Sequence, residues 1–339
     1  MGSDYSVEAD AVLRMKAPNS KLRGGAALML ALWALFLLSA MVISWALDIN
    51  SRLVVSGNAS RVLDAEAMAS SGADVALHPL IKPDSANLHG QMGKHEGYDV
   101  KMIGECGRLN LNFLAQGEDP AKLEILRHYL SLKGVELNNI DAMVDSLLDW
   151  VSPGQGIHHL NACPETDDYR PPHAALTSVD DVKKVCGWAE FTSKPGWDED
   201  FTVTGNCGCI DLGWASRDVL RALGLGDDKV DQFLQLRRGA DGIDGTADDL
   251  QVSAAASGAA LNAAACGQLP VEIQAALGLN LQPQNQPPML AQGLLGFNLP
   301  VFRVVSVGKS GDVSRTVQMV VSRVGGPGGR PLIVSWKEL

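Results

Sequence analysis

The stretch KLRGGAALMLALWALFLLSA, from Lys21 to Ala40, decides how the rest of the chain is interpreted. No charged residue occurs from Gly24 to Leu47. As a helix this run would be about 36 Å long, whereas the hydrocarbon core of a bilayer is about 30 Å thick. The apolar core of a secretory signal peptide is only about 7–15 residues long. The run therefore predicts a helix that spans a membrane once.

The charges on either side of the apolar run predict its orientation. Arg14, Lys16, Lys21 and Arg23 precede it, and Asp48 follows it. Because basic flanks stay in the cytoplasm, we expect the N-terminus to be cytoplasmic and the body of the protein to lie on the far side of the membrane.

The composition and the motifs of the sequence argue against two classes of function. The chain has 339 residues and a formal net charge of -11. Binding to a nucleic-acid backbone needs a basic surface, so we expect no nucleic acid as a partner. The sequence contains no HExxH, GxSxG, GxGxxG or P-loop motif, and these are signatures of common catalytic sites. We therefore expect no enzyme activity and no required cofactor.

The six cysteines give a prediction about covalent cross-links. An even number of cysteines suits an oxidising compartment. Cys207 and Cys209 are spaced CxC, which is too close for a zinc ribbon. Disulfides are favoured over free thiols and over a metal site. Cys163–Cys186 is the one pair that we name, because both residues flank a single helix–loop unit.

After Asp48 the helix is expected to continue as an amphipathic half that ends at His78-Pro79, where the chain is unsuited to a helix. The expected apolar positions are Leu53, Val54, Val62, Leu63 and Met68. A strand is predicted near Tyr98–Ile103.

Two helical modules are predicted next. They begin with the similar segments CGRLNLNFLAQ at Cys106 and CGCIDLGWASRDVLRALG at Cys207. LGLGDDKVDQFLQLRR in the second module has the pattern of a helix-hairpin-helix. Such a turn can present N–H groups to DNA phosphate. Asp227 and Asp228 beside the turn would repel phosphate, so we favour a structural role.

The C-terminal part has the pattern of a sheet. LPVFRVVSVG, VSRTVQMVVSRV and PLIVSW are β-branched runs separated by KSGD and GGPGG turns. They predict a three-stranded antiparallel meander that supplies the surface on which the amphipathic helix lies. The predicted fold class is thus α+β: a long N-terminal helix packed on a C-terminal antiparallel sheet, with a large inserted all-α region.

Two acidic loops are candidate calcium sites, because calcium takes six to eight oxygen ligands from carboxylates and carbonyls in tight turns. Ordinary solvated turns are the alternative for both. The stronger candidate is RRGADGIDGTADDLQ, and the weaker is PETDDY. Their acidic residues are Asp241, Asp244, Asp248 and Asp249 in the first, and Glu165, Asp167 and Asp168 in the second.

The sequence Arg23-Gly24-Gly25-Ala26 resembles the type III signal of pilins and pseudopilins, in which small residues precede the apolar run. In that family a prepilin peptidase cuts on the cytoplasmic side and the helix is kept. The resemblance implies cleavage between Gly25 and Ala26, often with methylation of the new N-terminus. A plain anchor with a chance Gly-Gly is the alternative. Most pilin-like proteins carry glutamate at the fifth mature position, where this chain has Leu30; that lack is characteristic of the K component of type II secretion systems.

The resemblance to the K family of minor pseudopilins extends along almost the whole chain. The segments that carry it are GAALMLALWALFLLSA, GRLNLNFL, LLDW, LTSVDDVKKVCGW, GCIDLGWASRDVLRALG, FRVVSVGKSGDVSRTVQMVVSRV and PLIVSWKEL.

The resemblance implies a pilin-like plan for the chain. The expected parts are a cleaved leader (1–25), the transmembrane half of the helix (26–47), the amphipathic half and the start of the pilin-like domain (48–105), a first inserted module (106–205), a second module with the Asp-rich loop and a linker (206–295), and the C-terminal sheet (296–339).

The implied function is that of a tip subunit of the type II secretion pseudopilus. It would assemble with minor pseudopilins I and J, start pseudopilus assembly and support protein export across the outer membrane. The further partners implied are the rest of the pseudopilus, the inner-membrane secretion platform and prepilin peptidase. The implied location is the inner membrane, with a periplasmic body. Two alternatives remain: a minor pilin of a type IV pilus or DNA-uptake system, and an anchored periplasmic binding domain.

Overall fold

The computed structural model describes residues 21–154, 159–250, 266–267, 269–278, 290, 292–324 and 330–339, with side chains from residue 25 onward except that of Gln292. It divides into two units, one up to Ser60 and one from Arg61 to Leu339, and each is described by itself. The predicted α+β fold class is confirmed, although the insert, which was predicted to be all-α, also contains four two-residue strands. Most of the predicted leader lies outside the described residues.

A single helix, α1, runs from Lys21 to Ala76 and so ends just before His78-Pro79, as predicted. Within the second unit, its buried face consists of small residues. Ala65, Ala69 and Ala73 are fully buried, whereas Leu63 is 65% exposed. The expectation that the larger apolar residues form the packing face was wrong. Small side chains are favoured on this face because they let the helix backbone approach a neighbouring surface closely.

The helix packs on a five-stranded sheet with the order β1-β2-β7-β8-β9, in which all neighbours are antiparallel. The predicted meander is β7-β8-β9, and the predicted strand near Tyr98 is β2. The pairing of β2 with β7, and the short edge strand β1, were not predicted. The strand bounds are His89–Gln91 (β1), Glu96–Gly104 (β2), Val301–Ser310 (β7), Val313–Ser322 (β8) and Leu332–Glu338 (β9).

Two glycines set the distance between helix and sheet. A Cβ on Gly308 of β7 would lie 2.0 Å from the carbonyl oxygen of Ala65, and a Cβ on Gly72 of α1 would lie 2.4 Å from Oγ of Ser306. No real Cβ atom tolerates such contacts. Glycine at both positions is therefore what allows the helix to lie directly on β7.

Residues 105–300 form the insert between β2 and β7. Its strands are β3 (Leu109–Asn110), β4 (Phe201–Thr202), β5 (Ile210–Asp211) and β6 (Leu295–Gly296). Its helices are α2 (Leu111–Ala115), α3 (Pro120–Leu132), α4 (Leu137–Val151), α5 (Ala189–Thr192), α6 (Arg217–Ala222), α7 (Asp227–Arg237) and α8 (Val271–Ala276), with a 3₁₀ helix at Val179–Lys184.

The two predicted modules begin in the same way in the structure. A two-residue strand, β3 or β5, makes a parallel pair and is followed by a helix whose N-terminus is capped by a side chain. The hairpin of α6 and α7 has Gly224 in its turn with φ +82°. Trp188, Tyr129 and Phe233 belong to one buried core that draws on both modules, and the boundary after residue 205 stays a prediction.

Candidate functional site

The apolar half of α1 presents its side chains outward. Gly25 and Ala26 lie within the helix, and Leu30 is 71% exposed. Among the described residues, one helix, Gly25–Ala76, is long and apolar enough to cross a membrane. Its best window has a mean hydropathy of 2.5, and none of that window is buried. Exposure of so many leucines in one run fits contact with lipid rather than water.

The insert meets the sheet at a neck that we define by β2, β7 and the residues next to them. Gly104, the last residue of β2, pairs with Phe302 of β7, so the insert leaves and re-enters the sheet at adjacent positions. Glu105 is 1% exposed and accepts two hydrogen bonds of 2.7 Å from the guanidinium of Arg303. Its carboxylate also accepts a 2.5 Å hydrogen bond from the hydroxyl of Thr202.

Two disulfides lie in the same neck. Cys106 is bonded to Cys207, and Cys209 is bonded to Cys266. Cys106, Cys207 and Cys209 form a buried cluster with three residues from the β6–β7 connection and the sheet: Leu299, Val301 and Val320. The Cys106–Cys207 bond fastens the start of the insert to the start of the second module, and the Cys209–Cys266 bond joins two segments of that module.

Asp211 orders the chain that leads back into β7. It is fully buried, and its carboxylate accepts N–H groups from Gly213, Asn298 and Leu299 at 2.7–2.9 Å. Burial raises the pKa of Asp211 above its usual range, and these hydrogen bonds oppose that rise. Asn298 has φ +59°, which is not a strand conformation. Its backbone N–H therefore donates to the carboxylate of Asp211 instead of to a neighbouring strand.

The third disulfide joins Cys163 to Cys186, the pair named from the sequence. Cys186 follows the 3₁₀ helix Val179–Lys184. Ser178 followed three residues later by Asp181 is a sequence pattern typical of a helix N-cap, and the two residues form a capping box at the start of that helix. This bond fixes the long loop after α4 to the first module.

The Asp-rich loop brings three of its four predicted ligands together. Carboxylate oxygens of Asp241, Asp248 and Asp249 lie within 4.8 Å of one another. Asp248 accepts hydrogen bonds from the backbone N–H groups of Ala240 and Asp241 and from the hydroxyl of Thr246. These bonds lower the pKa of Asp248, and the bond from Thr246 has the largest effect. Three left-handed glycines, Gly239, Gly242 and Gly245, give the loop its tight path. Close carboxylates in such a loop suit calcium chemically.

Asp244 lies outside that cluster. It pairs with Arg237 at 2.8 Å and with Arg238 at 2.9 Å. Arg237 is 3% exposed, and it also donates to the carbonyl oxygens of Leu212 and Ala215. Asp244 therefore tethers the loop to the end of α7.

The acidic residues of the PETDDY loop, the weaker candidate, make separate contacts. Glu165 is 3.2 Å from His173, and Asp167 is 3.0 Å from Arg170. Asp168 is exposed. Among the described residues, three metal-ligating groups lie close together at Asp241, Asp248 and Asp249, and none do so in this loop.

A histidine outside the predicted sites has a polar environment of its own. His159 Nδ1 lies 2.5 Å from Asp149, and its Nε2 lies 3.5 Å from Glu118. Burial lowers the pKa of His159, but the interactions with Asp149 and Glu118 outweigh burial, so the pKa is raised above its usual value.

Sequence reasoning missed Glu105, Arg303 and Asp211. One signal was available: Arg303 interrupts the apolar run LPVFRVVSVG. A charged residue inside a buried strand needs a partner. The sequence could not identify that partner, because Glu105 is 198 positions away.

The fold resembles a solved structure. No protein-family model and no curated protein matches the chain. The chain matches a chain in the crystal structure of the GspK-GspI-GspJ complex from the type 2 secretion system of enterotoxigenic Escherichia coli. The TM-score is 0.53 and the identity is 12%. The match covers 86% of this chain and 98% of the other. At this identity the likeness concerns the fold.

Proposed function

We propose that this chain is a minor pseudopilin at the tip of a type II secretion pseudopilus. It would assemble with minor pseudopilins I and J, initiate the pseudopilus and support export across the outer membrane. Its role is structural rather than catalytic. It would be anchored in the inner membrane by α1, with residues before Gly25 in the cytoplasm and the body in the periplasm.

The extent of the structural likeness carries this proposal. The insert of residues 105–300 makes up more than half of the chain. A match over 86% of this chain must therefore include a large part of the insert as well as helix and sheet. That structure is of a complex of GspK with GspI and GspJ, which gives the partner class that we propose.

Two features of the chain support the proposed location. The exposed apolar half of α1 suits insertion into a bilayer. Three disulfides suit an oxidising compartment such as the periplasm. All six cysteines lie after the apolar run, on the side that the charge pattern predicts to be outside the cytoplasm.

Sterics support a place at the end of the filament. The insert leaves the sheet between two neighbouring strands, β2 and β7, and it is larger than the sheet with its helix. A body of this size would obstruct subunits stacked above it, but at the tip no subunit follows. Leu30 agrees with this arrangement, since a leucine cannot make the charged contact that a glutamate there would offer to a neighbour.

The test is co-expression of the full chain with prepilin peptidase and with candidate I and J subunits from the same genome. We expect a mature N-terminus at Ala26 by mass spectrometry and a stable complex of the three proteins in detergent. Gly25→Val should block cleavage and leave the leader attached. A mature chain that binds neither partner would contradict the tip role. Assembly with a type IV pilus subunit set instead would favour the alternative class.

We also propose that the Asp-rich loop binds calcium through Asp241, Asp248 and Asp249. Clustering of their carboxylates supports this, because bringing three negative charges together is costly without a cation. A ligand that binds only the folded state raises stability by about 2.7 kcal/mol at a concentration one hundred times its Kd.

Calcium should therefore raise the melting temperature of the full chain in detergent, and chelation should reverse the rise. Asp248→Asn should reduce the calcium-dependent shift strongly. Asp244→Asn should lower the baseline stability yet keep the shift, because Asp244 pairs with arginines. Asp167→Asn in the PETDDY loop is the matched control for removal of an exposed carboxylate. An equal calcium shift in wild type and Asp248→Asn would place the metal elsewhere.

A further inference from the structure

The three disulfides are connected in an order that does not follow the sequence. All six cysteines belong to the insert. Cys106 is bonded to Cys207, with a sequence separation of 101. The pair Cys163–Cys186 lies wholly inside that loop, and Cys209–Cys266 follows it. The first cysteine must therefore pass over two others to reach its partner.

The CxC segment makes a second kind of wrong pair easy to form. Only Gly208 separates Cys207 from Cys209. The entropy of closing a loop changes slowly with loop length. In the unfolded chain, Cys106 therefore meets Cys209 about as often as Cys207. Loop entropy also favours Cys163 as the first partner of Cys106, since Cys163 is nearer along the chain.

In the native neck, the three cysteines that take part in these wrong pairs are buried, whereas Cys266 is exposed. Cys106, Cys207 and Cys209 are 0%, 1% and 2% exposed. A Cβ on Gly296 would lie 2.9 Å from Sγ of Cys209, so the packing around this sulfur leaves no space. Thiol–disulfide exchange needs a thiolate to reach a disulfide sulfur. Wrong pairs must therefore be rearranged before the insert packs on the sheet.

We propose that this protein is a substrate of a dithiol disulfide isomerase, which rearranges the neck cysteines before the neck closes. Consider the wrong bond Cys106–Cys209. The isomerase thiolate attacks Sγ of Cys106, forms a mixed disulfide and releases the thiolate of Cys209. The thiolate of Cys207 then attacks the same Cys106 sulfur, forms Cys106–Cys207 and releases the isomerase thiolate. One disulfide is broken and one is formed, so the exchange needs no net oxidant.

The first test is refolding of the full chain in detergent, starting from reduced and unfolded protein. The buffer contains reduced and oxidised glutathione, the latter as the oxidant, with or without catalytic protein disulfide isomerase. Disulfides are mapped by mass spectrometry of peptides. Without isomerase we expect early species with Cys106 bonded to Cys163 or Cys209. With isomerase we expect the native map to form about tenfold faster, within the known range of reshuffling times.

Variants separate this proposal from a general effect on folding. The chain with Cys163, Cys186, Cys209 and Cys266 all changed to serine keeps only the Cys106–Cys207 pair, which cannot mispair. Isomerase can still transfer a disulfide to this pair, but with no wrong pair to rearrange it should accelerate native pairing less than in the wild type. If that variant does not fold, the double variant Cys163→Ser/Cys186→Ser takes its place. It removes the bond inside the Cys106–Cys207 loop, so isomerase should accelerate its native pairing less than that of the wild type.

An isomerase variant that lacks its second active-site thiol provides a direct readout. It should be trapped as a mixed disulfide with the wild-type chain, and mapping should locate the trap at Cys106, Cys207 or Cys209. Native pairing at the same rate with and without isomerase would overturn the proposal. So would trapping confined to Cys163 and Cys186. Neither result depends on assembly with other pseudopilins.

Discussion

At the scale of single residues, the neck depends on buried charge. Glu105 is the first residue of the insert and Arg303 lies in β7, and the two are joined by two hydrogen bonds of 2.7 Å. Their side chains are 1% and 15% exposed, so water cannot replace a lost partner. The hydroxyl of Thr202 brings a third segment to the same carboxylate. One carboxylate therefore joins β2, β4 and β7.

Glu105→Ala should destabilise the protein by about 3–5 kcal/mol, the usual cost of leaving one charge of a buried pair without its partner. The measurement is thermal or chemical unfolding of the full chain in detergent. Arg170→Ala is the matched control, because its pair with Asp167 is 72% and 99% exposed. Exposed pairs contribute about 0–1 kcal/mol. Equal losses in the two variants would show that the neck pair is not a stabilising contact.

His159 gives the molecule a pH dependence that can be predicted in sign. A histidine whose folded-state pKa is raised contributes stability below its unfolded pKa of about 6.5 and loses it as pH rises through the folded value. The wild type should thus exceed His159→Gln in stability by about 1.5 kcal/mol at pH 5.5, as for a hydrogen bond with a charged group. The difference should shrink by pH 8.5. His95→Gln, at an exposed position, is the reference variant; a difference that grows with pH would contradict the assignment.

At the scale of elements, the contact between α1 and the sheet depends on residues with small or no side chains. Ala65, Ala69 and Ala73 supply little side chain, and Gly308 on β7 supplies none. The helix backbone can then contact the strand directly. The free energy of this contact comes from close packing along the whole face rather than from a few large side chains.

Gly308→Ala should therefore disrupt the docking of α1. The new Cβ would fall 2.0 Å from the oxygen of Ala65 and 2.2 Å from the nitrogen of Ala69, and backbone atoms cannot rotate away. We expect a loss of about 1–3 kcal/mol and faster hydrogen exchange in residues 61–76. Gly205→Ala, whose Cβ meets nothing within 4 Å, should leave both properties close to wild type. Unchanged exchange in Gly308→Ala would mean that the helix does not need this close approach.

The sequence was a good guide wherever one local rule decides the structure. The end of α1 before Pro79, the capping box at Ser178 and the turn at Gly224 each depend on a few adjacent residues. It was a poor guide where two distant segments decide together. The alanine face of α1 is a packing face only because β7 carries a glycine. Asp244 lies outside the predicted calcium cluster because it pairs with Arg237, the last residue of α7, and with Arg238 next to it.

At the scale of the whole molecule, the insert is an addition to a smaller α+β plan. Helix α1 and the five strands surround a core of their own, which includes Ala73, Val100, Val304 and Met319. The insert has a separate core that includes Trp188 and Phe233, and it contains all six cysteines. The neck is the region where these two cores meet, and it holds the buried ion pair and two disulfides.

This organisation predicts that the insert can be removed. Gly104 and Phe302 face each other in the antiparallel register of β2 and β7. Replacing residues 105–301 by Asn-Gly would therefore convert the neck into an ordinary two-residue hairpin. Deleting Glu105 would leave the charge of Arg303 without this partner, so the same variant also carries Arg303→Val. We expect a folded protein that unfolds cooperatively but at a lower temperature than the full chain, because Val320 would no longer be buried by the cysteines of the insert. A variant with no cooperative transition would show that the sheet needs the insert to fold.

The same variant tests the proposal that the size of the insert confines the chain to the tip of the pseudopilus. In a secretion system with a labelled copy of this subunit, the full chain should be found at one end of each pseudopilus. If bulk is the reason, the shortened chain should also occur along the shaft. Leu30→Glu in the shortened chain should increase that fraction, since it restores the carboxylate that pilin-like subunits use between neighbours. A shortened chain still restricted to the end would mean that α1 and the sheet, rather than the size of the insert, determine its position.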